Sequence, residues 1–189
     1  HLTTKQEKLA YVSDVLAKTT VTTNTNMEMM FETIQEGGPA FAQAGGSMQD
    51  FAAITGIMAN AGIKGSKAGT AIKNMVVNLQ KPTAKMAKTM SDLGLEIDNG
   101  RGIMESLPEI LGQISEGSQK MTQIQRNAAL ATLFGKEALS GASVAFKAGK
   151  QEIVDYAKKL HESEETSKNM ADFMNKGLTG ALNATKSAI

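Results

Sequence analysis

Cysteine is absent from these 189 residues, so no disulfide staples the fold and no thiolate is there to hold a metal or attack a substrate. Tryptophan is missing too, and aromatic residues make up only 4% of the chain. The core must therefore be assembled from Ala, Met, Leu, Ile and Val. No apolar run approaches the ~18 residues that cross a bilayer, and no signal peptide is recognisable. Neither sign of charge dominates: 20 Lys and Arg stand against 19 Asp and Glu, for a net charge of +1. Affinity for a nucleic-acid backbone needs clustered positive charge, and the sequence offers no such cluster. No specific nucleic-acid partner is expected.

What is present is a chain of 41% hydrophobic residues with twelve methionines. Methionine fills irregular gaps between helices. Apolar residues recur with helical spacing along most of the sequence. Leu9, Val12 and Leu16 predict a helix over residues 4–18, followed by a Thr- and Asn-rich loop over 19–26. A second helix over 27–35 is expected to stop at Gly37-Gly38-Pro39, with a restart at Pro39 giving a short piece that Gly45-Gly46 ends. Ser47 with Asp50 has the spacing of a capping box ahead of a helix carrying Phe51, Ile54 and Met58. Ile72, Met75, Val76 and Leu79 stripe a further helix. Pro82 suits the first turn of the next one, which Gly94 ends. Residues 95–103 contain Asn99-Gly100 between alternating apolar positions, a hairpin signal too short for a sheet. Leu107-Pro108 opens another helix, and Met121, Ile124, Ala128 and Ala131 mark a stripe ending at Phe134-Gly135. Leu139, Ala142, Val144 and Phe146, then Ile153, Tyr156, Ala157 and Leu160, continue the pattern. Met170, Phe173, Met174, Gly177, Leu178 and Ala181 close it. The reading is an all-α fold: one compact bundle of about eight to ten short helices over residues 1–189, with a small β-turn excursion near 95–103 and a point of subdivision near 94–106. His1 in place of Met, and a stripe that runs toward Ile189, lead us to expect a segment of a longer polypeptide.

The most informative run is Ala59-Asn60-Ala61-Gly62-Ile63-Lys64-Gly65-Ser66-Lys67-Ala68-Gly69-Thr70-Ala71-Ile72. Gly62 and Gly65 permit φ > 0 and a tight reversal between two helices, and Gly69 lets another backbone come close. A phosphate-binding P-loop would need Gly-Lys-Ser/Thr at the helix start after a strand; here Ala68 follows Lys67 and a helix precedes. Gly62-Ile63-Lys64-Gly65 also fits the GXXG of an RNA-binding KH loop, but the three strands of that module are missing from the pattern. Gly62, Gly65, Gly69 and Thr70 are therefore read as a structural loop signature. His161 lacks the second histidine of a helical zinc site, since Glu165 stands there. Asp98-Asn99-Gly100 begins like a calcium loop, yet Gly100 and Gly102 supply no side-chain oxygen. Ser140 lacks the flanking pattern of a nucleophile elbow. No catalytic constellation, cofactor or metal is expected.

That glycine run also resembles the signature of phage tail tape measure proteins of the minor-tail-protein family, in which ANAGIKGSxAGTAL leads into a helix ending LxxP, here Leu79-Gln80-Lys81-Pro82. Leu133-Phe134-Gly135-Lys136-Glu137-Ala138 is similar to the family's LFGxEA. Met174, Leu178, Gly180, Ala181 and Leu182 are similar to its MxxxLxGAL. Three blocks in order make the likeness specific. It implies a virion structural protein, made in the host cytoplasm and carried in the tail, that sets tail length and templates tube polymerisation. It implies as partners the tail tube and tail tip proteins, tail assembly chaperones and further copies of itself. It brings no catalytic residue, cofactor or metal to this region. A helical module that touches membrane or nucleic acid during genome delivery is the alternative reading.

Overall fold

A computed structural model describes residues 5–98 and 100–161. Seven helices and no strand occur among them: α1 Lys5–Thr22, α2 Met27–Gln43, α3 Met48–Asn60, α4 Ser66–Gln80, α5 Ala84–Leu93, α6 Leu107–Gly117 and α7 Gln123–His161. The helical class is as expected, and the number is slightly below the eight to ten anticipated. The difference lies in α7, a 39-residue element interrupted by non-helical backbone at Gly135 and Gly149. The closing stripe over residues 170–181 lies outside the described residues.

Helix starts follow local chemistry. Asn26, Ser47, Thr83 and Ser106 each cap a helix, their side-chain oxygens accepting the N–H of Met29, Asp50, Met86 and Glu109. Such caps satisfy donors that have no intrahelical partner. Pro82 precedes the Thr83 cap rather than opening the first turn of α5. That helix ends at Gly94 in the left-handed region, where Leu95 N–H reaches the Met90 carbonyl at 2.9 Å.

Three further expectations are corrected. α1 runs four residues past Lys18, because its threonines need no loop. Thr19, Thr20 and Thr22 hydroxyls donate to the carbonyls of Val15, Ala17 and Lys18 at 2.7, 2.8 and 2.6 Å, so they are satisfied inside the helix. α2 continues through Gly37-Gly38-Pro39 to Gln43. Gly37 is there for close packing, and Pro39 sits on the exposed side. In α7 the expected stripe is out of phase: Ile124 is 82% exposed, and the buried face is Leu130, Leu133 and Phe134. Beyond Gly135 the buried side chains are Ala138, Ala142 and Ala145, whereas Leu139, Val144 and Phe146 are half-buried. Small residues win that face because α7 comes close to its neighbours. A methyl built at Gly141 would lie 2.7 Å from Ala71 Cβ and 3.1 Å from Met58 Cε.

Residues 95–106 form an irregular connection. Asp98 pairs with Met104 in an isolated antiparallel bridge, and Glu105 N–H donates to the Ile97 carbonyl at 2.7 Å. The Asp98 carboxylate accepts from the N–H groups of Gly100 and Gly102. Packing places α2 on α4 and α1 on α3, with α7 lying across α3, α4, α5 and α6. Met30, Met58 and Met75 are fully buried in the shared core with Ile54 and Ile72. Phe41 and Phe51 meet edge to face at 5.4 Å.

Candidate functional site

The glycine signature sits where α3 hands over to α4. Gly62 N–H donates to the Ala59 carbonyl at 3.0 Å and Ile63 N–H to the Met58 carbonyl at 2.9 Å. This pair of bonds closes a helix on a left-handed residue, and Gly62 supplies it with φ +84°. Nothing lies within 4 Å of a methyl built at Gly62, so backbone conformation alone demands glycine there. Gly65 combines φ +58° with ψ −140° at the start of α4 and offers no capping side chain.

The missing cap comes from another helix. Glu32 on α2 accepts the Ser66 N–H at 3.3 Å, and its neighbour Thr33 donates its hydroxyl to the Gly65 carbonyl at 3.0 Å. A carboxylate at a helix N-terminus also meets the favourable end of the helix dipole. A side chain on Gly65 would run into that Glu32 carboxylate. One turn further along α4, a methyl at Gly69 would sit 2.6 Å from the Thr33 carbonyl oxygen. From the opposite side, a methyl at Gly37 would sit 2.8 Å from the Gly69 carbonyl oxygen. The two helices thus cross backbone to backbone at Gly37 and Gly69, with the exposed pair Lys73–Glu36 at 3.9 Å beside the contact. Thr70 is half-buried on α4, Lys64 is half-buried in the loop, and Lys67 is exposed.

Gly62, Gly65, Gly69 and Thr70 are thereby brought to one junction, together with three residues that sequence reasoning missed: Glu32, Thr33 and Gly37. Thr33 and Gly37 stand one helical turn apart, a pair of small residues on one face, and that spacing was the available signal. The junction positions two backbones. Its hydroxyl and carboxylate are engaged with α4, and no group of three or more His, Cys, Asp or Glu residues suited to a metal occurs among the described residues. No helix among them is long and apolar enough to cross a membrane.

A second feature is an open polar cleft of about 570 Å³ where the ends of α1 and α3 meet α7, lined by Thr22, Thr23, Asn60, Glu152, Asp155 and Tyr156 among others. The Tyr156 hydroxyl lies 2.5 Å from Thr22 Oγ1. Burial holds this phenol above its ordinary range, against the opposing effect of hydrogen bonds from Thr22, Thr23 and Thr19.

No solved structure matches the chain. Among curated proteins, it is 34% identical over 172 residues to the tape measure protein of Pneumococcus phage Dp-1, covering 91% of this chain and 15% of that protein. It is 29% identical over 187 residues to the probable tape measure protein of Escherichia phage P2, covering 96% of this chain and 23% of that protein. The chain thus spans less than a quarter of either relative. The profile of the phage-related minor tail proteins matches residues 2–135, a stretch that contains the whole α2–α4 junction. The chain belongs to the phage-related minor tail protein family.

Proposed function

We propose that this chain is a structural domain of a phage or prophage tail tape measure protein and takes part in tail length determination and tail assembly. The observation that carries the reading is the family match across the glycine junction. The chemistry of that junction is spent on holding α2 against α4, as an architectural part requires. The domain works without catalysis or cofactor, as one helical unit, in the virion tail and, before that, in the host cytoplasm. Its partners are the tail tube and tail tip proteins, the assembly chaperones and other copies of itself. We further assign it a compact role, at a tail end or as an assembly organiser, rather than as ruler length. Gly- and Pro-marked boundaries between short helices support this, because a ruler segment favours one uninterrupted helix.

The test is genetic. Purified tails of the phage that encodes this chain should contain it, and in-frame removal of residues 5–161 should reduce assembled tails or infectivity. Normal tails and normal infectivity after that removal would contradict the assignment. Leakage of dye-loaded liposomes, or retardation of duplex DNA, by the isolated chain would favour the delivery module instead.

A further inference from the structure

The bend in α7 brings two distant stretches of the chain together. Drawn as one straight helix, Arg126 and Lys147 would stand about 32 Å apart at 1.5 Å per residue. The positive φ of 79° at Gly135 instead turns the helix back on itself. Arg126, Asn127 and Leu130 from one arm and Ser143, Phe146 and Lys147 from the other then line a single cleft of about 180 Å³. Spacings of three and four residues put each set on one helical face.

Both charged residues of the cleft are cations, and no carboxylate lines it. Lys147 is exposed and has no ion pair or hydrogen bond among the described residues. One turn further along, by contrast, Lys150 is paired with Glu109 at 2.6 Å. Arg126 donates through Nη2 to the Met121 carbonyl at 3.2 Å, while its Nε is buried with no partner. A buried donor without an acceptor is unfavourable, and turning the guanidinium toward an anion in the cleft relieves it. Arg126 also stands in the first turn of α7, which contains no acidic residue. A cation there is at the wrong end of the helix dipole. The fold gains nothing from this positive charge, whereas an anionic ligand would.

The surroundings say which anion fits. Leu130 is buried and Phe146 half-buried, so one wall offers hydrocarbon to the stem of a ligand whose charge meets the cations. Asn127 and Ser143 add neutral donors. Ile124, one turn before Asn127, is 82% exposed. A lone exposed isoleucine is ordinary, but beside a cation-lined cleft it gives the same partner an apolar anchor. Two cations are too few for a nucleic-acid backbone, whose affinity accumulates over many phosphates.

We propose that this cleft docks a carboxylate side chain carried on an apolar segment of a partner protein. The site stands independently of the role assigned to the domain in the tail. To test it, amide shifts of the isotope-labelled full chain are followed on titration with acetyl-Leu-Glu-Leu-Glu-Leu-amide and with its glutamine counterpart. The expected result is saturable shifts centred on residues 123–130 and 143–147, weakened by salt. The glutamine peptide should bind about tenfold more weakly. Arg126→Gln should raise Kd about tenfold and Lys147→Gln about threefold. Lys147→Gln lies on the exposed surface and should leave Tm unchanged, so it carries the test even where Arg126→Gln disturbs the fold. Equal binding of the two peptides, shifts elsewhere on the chain, or no saturable shift would overturn the proposal. So would acetate or inorganic phosphate acting as strongly as the peptide, which would mean a site for small anions only. Tighter binding of a duplex oligonucleotide, lost in the same variants, would overturn it in favour of a nucleic acid.

Discussion

At the scale of single residues, the glycines of the junction are not equivalent. Gly62 meets only a conformational demand, since a side chain there would enter open space. Gly65 meets both that demand and the Glu32 carboxylate, and Gly69 meets a neighbouring backbone. Backbone yields far less than a flexible side chain, so overpacking is costly at Gly69. Gly69→Val should lower stability by about 1–3 kcal/mol, and Gly65→Val by a similar amount through strain at a left-handed position. Gly62→Ala should cost about 1 kcal/mol. Lys64→Ala and Lys67→Ala should stay within about 0.5 kcal/mol of the parent. Urea midpoints check the series. A Gly69→Val midpoint equal to that of the parent would remove the backbone-to-backbone crossing from the account.

Helix boundaries divide into those that the chain announces locally and those it does not. The start at Ser47 was legible because a cap is a short-range device, an oxygen bonding an N–H three residues on; the start of α6 was legible from Pro108, which suits a first turn, and not from the Ser106 cap. The continuation of α2 through Gly37 was not, because the reason for that glycine is Gly69, thirty-two residues away. The phase of α7 was missed for a related cause. Its buried face is alanine where it crosses α3 and α4, and hydrophobicity alone ranks Leu139 and Phe146 above Ala138 and Ala142. The reversal through Gly62 and Gly65 was legible, whereas the cap that Glu32 lends to α4 depends on tertiary placement. The start of α3 also yields a pH prediction. Burial holds the Asp50 carboxyl above its ordinary range, partly offset by its hydrogen bond to Ser47. The folded chain therefore binds this proton more tightly than the unfolded chain. Its contribution to stability is fully present below about pH 3.9 and is lost as pH rises through the higher folded value. Asp50→Asn should accordingly raise Tm at pH 7 relative to the parent, and the gap should close near pH 3. A gap that widens on acidification would mean that the carboxylate, not the acid, is the form the fold favours. Ser47→Ala, which removes the cap itself, should cost about 1 kcal/mol at either pH.

For the whole molecule, the decisive contrast is between a body and a rod. Residues 5–161 drawn out as one helix would extend about 235 Å at 1.5 Å per residue. Folded as a bundle, the same number of residues has a radius of gyration of about 15 Å and a diameter near 40 Å. The helices share one buried core that includes Met30, Met58, Met75, Leu111 and Leu133, and breaking it to make a rod would expose that apolar surface to water. The isolated chain should therefore unfold cooperatively, with a helical far-UV circular dichroism spectrum. Inside the phage, the most direct test is the length of tails assembled after in-frame deletion of residues 5–161, measured by electron microscopy against the parent. A compact organiser predicts fewer tails, and those that form should be shorter by no more than about 40 Å. Viable tails shortened by close to 235 Å would contradict the account and place the segment in the ruler itself.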